Sequence, residues 1–191
     1  MIKAFILFFV VAFVFGGTIL HCQTKMTIQA GMAFPSGNFS NVANTGYGAC
    51  GSLEFPQSEL LSLTGSIGYY YWGQYTAYYL GPANSYSDFQ VMLGIRYAFS
   101  RLDVHPYMGI EVGMNAMNFS QTTSYAAISN VYEVSQARFG ITPLFGIIFK
   151  INPNLNFDVN LKYTTASSEK INGITFPSNF YALNAGIQFK L

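Results

Sequence analysis

The side chains that could carry chemistry in this chain are few, and most are charged. Nine Lys and Arg against eight Asp and Glu give a formal net charge of +1. Charged residues make up only 9% of the chain, against about 25% in an ordinary soluble domain. Because the charge is balanced, no electrostatic footprint for nucleic acid is present, and nucleic acid is not expected as a partner.

Catalytic and cofactor motifs are sparse. Neither metal-ligand spacing nor a Cys/His cluster occurs. The segment 46–51 matches G-x-G-x-x-G, but that motif binds phosphate only between a strand and a helix, and no helical pattern follows it. The two histidines are His21, in an apolar leader, and His105, in a short turn, so histidine-dependent acyl chemistry lacks a base at the outer surface. We expect no catalytic residue, no cofactor and no metal, and therefore not an enzyme.

The first 22 residues have the pattern of a secretory signal peptide. Lys3 supplies a positive start, and an uninterrupted apolar run follows it from Ala4 to Phe15. Cleavage after Cys22 gives residues 1–22 as signal peptide and 23–191 as the exported domain; cleavage after Gly16 is an alternative. A lipoprotein anchored at Cys22 is disfavoured, because His21 stands where a small residue is usual. Without Cys22, Cys50 is the only cysteine and no internal disulfide can form.

The strongest signal is an alternation of apolar and polar residues that occurs eight times. Successive side chains of a strand point to opposite faces, so each segment predicts a strand with one apolar face. Each is about the 9–11 residues that a tilted strand needs to cross a bilayer. Pro143 interrupts the sixth segment and predicts a bulge or a missing ladder bond there. The segments are 25–34, 47–55, 61–71, 88–99, 108–116, 138–149, 155–163 and 181–191.

The connections between these segments alternate between long and short. The long ones are 35–45, 73–87, 118–136 and 165–180, and the short ones are 56–59, 100–106 and 150–154. Tight periplasmic turns and longer extracellular loops are typical of outer-membrane barrels. We therefore predict an all-β protein, an eight-stranded antiparallel transmembrane up-and-down β-barrel. The first strand is expected to begin in the periplasm, and the eighth strand to end there.

The distribution of residue types over the two faces separates a membrane barrel from a soluble one. Every strand charge falls on the polar phase, while the apolar phase carries aliphatic residues at strand centres and aromatic residues at strand ends. Two aromatic girdles around an aliphatic band match the two interfaces of a bilayer. The apolar phase is therefore expected to face outer-membrane lipid, and the polar phase to face the lumen.

Six charges on the polar phase are expected to fill the periplasmic half of the lumen. An eight-stranded barrel has an interior just wide enough for side chains. Counting from the 100–106 turn predicts that Arg96 lies opposite Glu111, and we interpret the set as a plugging ion-pair network rather than a conducting path. Asp88 and Arg138, near the outer rim, are expected to pair or be solvated in the lumen, with ligand contact as the alternative. The network residues are Lys25, Glu54, Arg96, Glu111, Asp158 and Lys190.

The long connections are rich in tyrosine among small polar residues. This is the composition of adaptable recognition surfaces, although soluble loops on a scaffold are the simpler explanation and the one that we favour. The candidate recognition surface consists of Tyr75, Tyr78, Tyr79, Tyr86, Tyr125 and Tyr132.

The last strand ends in a polar-x-Gly-x-x-Φ-x-Φ pattern formed by Asn184, Gly186, Phe189 and Leu191. It resembles the C-terminal signal that outer-membrane barrels present to the barrel-assembly machinery, although Leu stands where Phe is more usual. With this pattern, the chain resembles the OmpA/OmpX-like, porin-family-like small barrels over residues 24–191. The resemblance implies insertion in the outer membrane of a Gram-negative cell envelope, and it says little about activity.

The sequence therefore predicts a small integral outer-membrane barrel with a structural or surface role and a side-chain-filled lumen. A loop-mediated adhesin or ligand-recognition protein is one alternative, and a narrow passive channel is another. We expect a monomer that meets membrane lipid and the assembly machinery. An extracellular ligand, if there is one, cannot be named from the residues.

Overall fold

The computed structural model describes residues 24–73, 83–100, 102–125, 128–166, 170–171, 174–175 and 179–191. The predicted signal peptide, 1–22, lies outside this range. Within the described part of the chain, no helix is long and apolar enough to span a bilayer.

Eight long strands close into a barrel, as predicted. Each pairs antiparallel with its neighbour along the chain, and β10 pairs with β1 to close the sheet. Closure pairs the backbone N–H and C=O groups of the two edge strands, which lipid could not hydrogen-bond. A 3-10 helix, Gly37–Asn41, follows β1, and a two-stranded hairpin of β8 (Lys170–Ile171) and β9 (Ile174–Thr175) precedes β10. The barrel strands are β1 (Lys25–Pro35), β2 (Gly46–Pro56), β3 (Leu61–Trp72), β4 (Ala83–Ala98), β5 (Val104–Tyr125), β6 (Ile128–Asn152), β7 (Leu155–Ala166) and β10 (Phe180–Lys190).

The alternating pattern divides the side chains between the outer surface and the lumen. Ile28, Ile67 and Leu161 project outward and are exposed, whereas Thr27 and Asn160 are buried inside. The predicted lipid-facing and lumen-facing phases are thus confirmed. The barrel therefore presents its apolar surface to its surroundings and keeps its polar groups within, the reverse of a soluble domain.

Pro143 interrupts one ladder without shifting its register. The β6–β7 pairing runs through Ile141↔Thr165 and resumes at Leu144↔Lys162 with the same offset. The missing ladder bond expected at this proline is therefore confirmed, because proline has no amide hydrogen to donate. On its other side, Pro143 stays in register with Ile110 of β5.

Two predicted loops are shorter than expected because strands continue through them. β5 extends to Tyr125 and β6 begins at Ile128, so the predicted loop 118–136 is mostly a hairpin. β4 begins at Ala83, so part of the predicted loop 73–87 is also strand. The short turns lie at one end of the barrel, which faces the periplasm in outer-membrane barrels, and the long connections lie at the other. We call these the short-turn end and the long-loop end.

Candidate functional site

The lumen near the short-turn end is built around Glu54 of β2. Its side chain is 3% exposed and receives four donors. Lys25 Nζ and Ser62 Oγ donate to Oε1 at 3.1 and 2.8 Å, and Arg96 Nη1 and Gln188 Nε2 donate to Oε2, each at 3.1 Å. A carboxylate offers about four lone-pair positions, so Glu54 is saturated and ties β2 to the strands that supply these donors.

Arg96 extends this network across the lumen to β7. Its Nη1 lies 3.7 Å from Asp158 Oδ2, and its guanidinium stacks over the Tyr107 ring at 4.2 Å from the centroid. The Tyr107 hydroxyl donates to Asp158 Oδ1 at 2.8 Å. Arginine suits this place because its planar head can pair with carboxylates and stack on an aromatic ring at once.

Glu111 belongs to a second ion pair, with Lys162 of β7 rather than with Arg96. Lys162 Nζ donates to Glu111 Oε2 at 2.9 Å. The predicted Arg96–Glu111 pair is wrong, because Arg96 is in register with Gly109 and Glu111 with Gly94. The hairpin is centred one residue earlier than expected, so the two side chains are offset along the barrel. Lys162 was missing from the predicted network although it lies on the same polar phase.

Amide side chains extend the network from Tyr107 further through the lumen. Asn160 Nδ2 lies 3.0 Å from Gln29 Oε1 and 3.3 Å from the Tyr107 hydroxyl. Asn184 Nδ2 donates to Asn160 Oδ1 at 3.1 Å, and the Tyr70 hydroxyl donates to Asn184 Oδ1 at 3.4 Å. A continuous hydrogen-bonded chain therefore fills the middle of the barrel, as a narrow interior requires.

An aromatic cluster seals the long-loop end. The 3-10 helix turns Phe39 into the barrel mouth, where its side chain is fully buried. Its ring lies edge-on to Trp72 at 5.1 Å and to Tyr86 at 5.3 Å between centroids, and Phe180 lies 4.8 Å from Trp72. We call Phe39, Trp72, Tyr86 and Phe180 the mouth cluster. Edge-to-face packing of this kind stabilises beyond the area that it buries.

The sequence interpretation missed the mouth cluster. Trp72 and Phe180 lie on the polar, lumen-facing phase of β3 and β10, so strand parity could have placed both inside. Phe39 carried no such signal, because it lies in a connection. The prediction that Tyr86 lies in an exposed recognition loop is wrong. Tyr86 is part of β4, is 7% exposed and packs on Phe39.

The remaining candidate residues are divided by the structure. Tyr75, Tyr78 and Tyr79 lie outside the described residues, and Tyr125 and Tyr132 lie in β5 and β6 rather than in a loop. Asn184 points into the lumen and Gly186 packs against β1, while Phe189 and Leu191 are exposed. Their role as an assembly signal stays a prediction.

Asp88 and Arg138 lie in the lumen below the long-loop end. Asp88 Oδ2 accepts from Gln90 Nε2 at 2.9 Å and from Asn115 Nδ2 at 3.2 Å. Arg138 donates twice to Gln136 Oε1, from Nε at 2.7 Å and from Nη2. Both side chains are therefore held by amides of their own or neighbouring strands, which is the lumen role expected for them.

One open cavity of about 410 Å³ lies at the short-turn end, below the saturated Glu54. Lys190 and His105 line it together with Arg96. Among the described residues, Lys190 takes part in none of the ion pairs, unlike Lys25 and Lys162. The predicted network therefore divides into Lys25, Glu54, Arg96 and Asp158 on one side, Glu111 with Lys162 on another, and Lys190 alone at the opening.

In the part of the chain that the structure describes, no set of three or more His, Cys, Asp and Glu side chains comes together to hold a metal. Cys50 is buried as a free thiol and donates to Gln29 Oε1 at 3.4 Å.

The fold and the filled lumen define the class of protein: a small, closed, eight-stranded antiparallel β-barrel with the architecture of outer-membrane barrels. Residues 97–191, just under half of the chain, match the family model of the Opacity family porin proteins. No curated protein sequence matches the chain.

Several solved barrels share the architecture. Neisserial surface protein A is 18% identical with a TM-score of 0.60, over 88% of this chain and 97% of that one. A major outer membrane protein from Thermus thermophilus is 14% identical with a TM-score of 0.61, over 90% and 100%. The outer membrane protease OmpT from Escherichia coli is 7% identical with a TM-score of 0.54, over 91% and 100%. These likenesses show that the chain shares the fold of small outer-membrane β-barrels, and a shared fold alone does not decide whether such a barrel is an enzyme.

Proposed function

We propose that this protein is a non-enzymatic, non-conducting barrel that presents a protruding β-sheet for recognition outside the cell. The observation that carries the proposal is that some strands extend much further than others at the long-loop end of the barrel. The β6–β7 ladder ends at Gly140↔Ala166, whereas the β5–β6 ladder continues from Gly113↔Gly140 to Tyr125↔Ile128. β5 and β6 therefore extend twelve residue pairs beyond β7, roughly 40 Å along the strands at about 3.4 Å a residue.

The protruding part is a three-stranded sheet of β4, β5 and β6. β4 pairs with β5 as far as Ala83↔Thr122, which supports the hairpin from one side. On the other side, among the described residues, no strand pairs with β6 over 128–139, since β8 and β9 pair only with each other. An unpaired edge offers backbone donors and acceptors to an extended polypeptide, the mode called β-augmentation.

A closed lumen supports this assignment over a channel. The mouth cluster covers the long-loop end, and two ion pairs with their amide partners occupy the interior. Substrates that would cross must displace buried, hydrogen-bonded charges, and uncompensated burial of such groups is costly. The barrel then serves as a rigid scaffold in lipid, and its recognition surface is the sheet that extends from it.

The experiment replaces residues 121–132 by Asn-Gly, a turn that joins Ser120 to Glu133 in the existing register. Bacteria that display the full chain or the shortened chain at equal surface density are compared for adhesion to epithelial monolayers. The proposal expects adhesion above an empty-vector strain with the full chain and a marked reduction with the shortened one, which keeps only 133–139 of the unpaired edge. Equal adhesion by both, or none above the empty vector, contradicts it.

A further inference from the structure

We propose that the cavity at the short-turn end is a binding site for a small peptide carboxylate with an apolar side chain. The cavity is about 410 Å³, within the usual range of roughly 300–1,000 Å³ for small-molecule sites. It lies at the end of the molecule opposite the protruding sheet. The site is therefore independent of the recognition function proposed above.

The cavity wall carries more positive than negative side chains, and one of the positive ones has no ion-pair partner among the described residues. The cavity is lined by Lys25, Arg96 and Lys190 against the carboxylates of Glu54 and Glu59. Glu54 has all its lone-pair positions filled by donors other than Lys190. Glu59 is already engaged in an interaction of its own. Lys190 therefore lines the cavity without an ion pair to any carboxylate of the described residues.

Two buried nitrogen atoms of residues that line the cavity have no hydrogen-bond partner. Arg96 is 5% exposed, yet its Nε has no hydrogen-bond partner, and His105 Nδ1 is also buried without one. Both side chains line the cavity together with Lys190. A buried polar group without a partner is costly, and a carboxylate bound in this cavity would bring acceptors to a wall that carries Arg96 and Lys190.

Part of the cavity wall is apolar. Leu60, Ala98 and Ile148 line the same cavity. Ile148 lies on the lumen face of β6 and, with Leu144 and Tyr107, forms an apolar cluster against which Ala98 packs. A fully hydrated inorganic anion gains nothing from such a wall, whereas a short apolar side chain next to the carboxylate loses water on binding. The combination favours the carboxyl end of a small peptide.

The experiment uses the full exported barrel in nanodiscs, where both ends are accessible. Alanyl-leucine is titrated and followed by calorimetry, with alanyl-leucine amide as the ligand that lacks the carboxylate. We expect the dipeptide to bind and the amide to bind at least tenfold more weakly, the effect of one lost charge-assisted contact. Equal affinity of acid and amide, or no binding of the acid, overturns the proposal.

Protein variants test the site itself. Lys190→Gln is expected to weaken dipeptide binding about tenfold. Lys150→Gln is the matched control: it removes the same charge at the same end, where Lys150 pairs with Asp103 at 3.6 Å outside the cavity. Equal weakening by both variants would reduce the effect to overall charge and contradict the site.

A further variant and a competitor keep the test decisive if Lys190→Gln assembles poorly. Ser100→Asp adds a carboxylate to the cavity wall at a partly exposed position, and it should also weaken the dipeptide by like-charge repulsion. Inorganic phosphate should compete only weakly because it has no apolar part. Phosphate that binds more tightly than the dipeptide would show a general anion site and overturn the assignment to peptides.

Discussion

Arg96 Nη1 and Glu54 Oε2 meet 3.1 Å apart across the lumen, from β4 to β2, and both side chains are buried. Two strands that do not pair with each other are thereby joined through the interior. Charged and polar side chains therefore form the core of this barrel, because its apolar strand residues face outward.

Removing either partner alone should strand a buried charge. Arg96→Met or Glu54→Gln is expected to lower the free energy of unfolding by about 3–5 kcal/mol, and the double variant by less than the sum. Urea unfolding in lipid vesicles measures all three. The control cycle pairs Arg96→Met with Glu111→Gln, whose coupling should be smaller, because Glu111 is paired with Lys162. Coupling that is larger with Glu111 than with Glu54 would contradict the observed pairing.

The mouth cluster has a built-in probe, since Trp72 is the one tryptophan of the chain. Phe39→Ala should open a cavity next to the indole and cost roughly 3–5 kcal/mol. Acrylamide quenching of Trp72 should then increase. Phe99→Ala, at an exposed position on the outer surface, is the control and should leave quenching unchanged. If Phe39→Ala also leaves it unchanged, Phe39 does not shield the mouth.

Closure between β10 and β1 depends on a glycine. A Cβ at Gly186 would lie 2.0 Å from the Ile28 carbonyl oxygen and 2.6 Å from Gln29 Cα. Gly186→Ala should therefore push the closing strands apart, at about 1–3 kcal/mol for overpacking. At Gly51 the same Cβ meets nothing nearer than 3.8 Å, so Gly51→Ala is the control. The heat-dependent gel shift of folded barrels compares the two, and equal folded fractions would rule out this role of Gly186.

Two positions of β4, three residues apart, show the difference in exposure between the outer face and the lumen face. Leu93 is exposed on the outer surface, and Gln90 is buried in the lumen beside Asp88. Leu93→Arg should cost roughly 2–4 kcal/mol near the bilayer midplane. Gln90→Arg should cost less because Asp88 offers it a partner. Refolding into vesicles measures both, and greater damage from Gln90→Arg would reverse the assignment of faces.

Most of the fold could be predicted from the sequence because lipid imposes a strict period of two on every spanning strand. The residues 118–125 were misassigned for the same reason. There β5 has left the bilayer, so no apolar outer face is selected and the strand resembles a polar loop. The Arg96–Glu111 error was one of register: residue types locate a turn only to within a residue or so, and that is enough to exchange partners in a crowded lumen. Phe39 could not have been found, since a connection carries no periodicity.

Planar-bilayer recording of the purified, refolded barrel tests the central claim most directly. A recognition scaffold with a filled lumen and a passive channel have the same barrel wall, and only the flow of ions through the lumen distinguishes them. The saturated Glu54 and the buried Phe39 predict no steady conductance steps from the full exported chain. Arg96→Met combined with Phe39→Ala, which opens both layers, is the positive control that should raise conductance. Steady, reproducible steps from the unaltered protein would contradict the account.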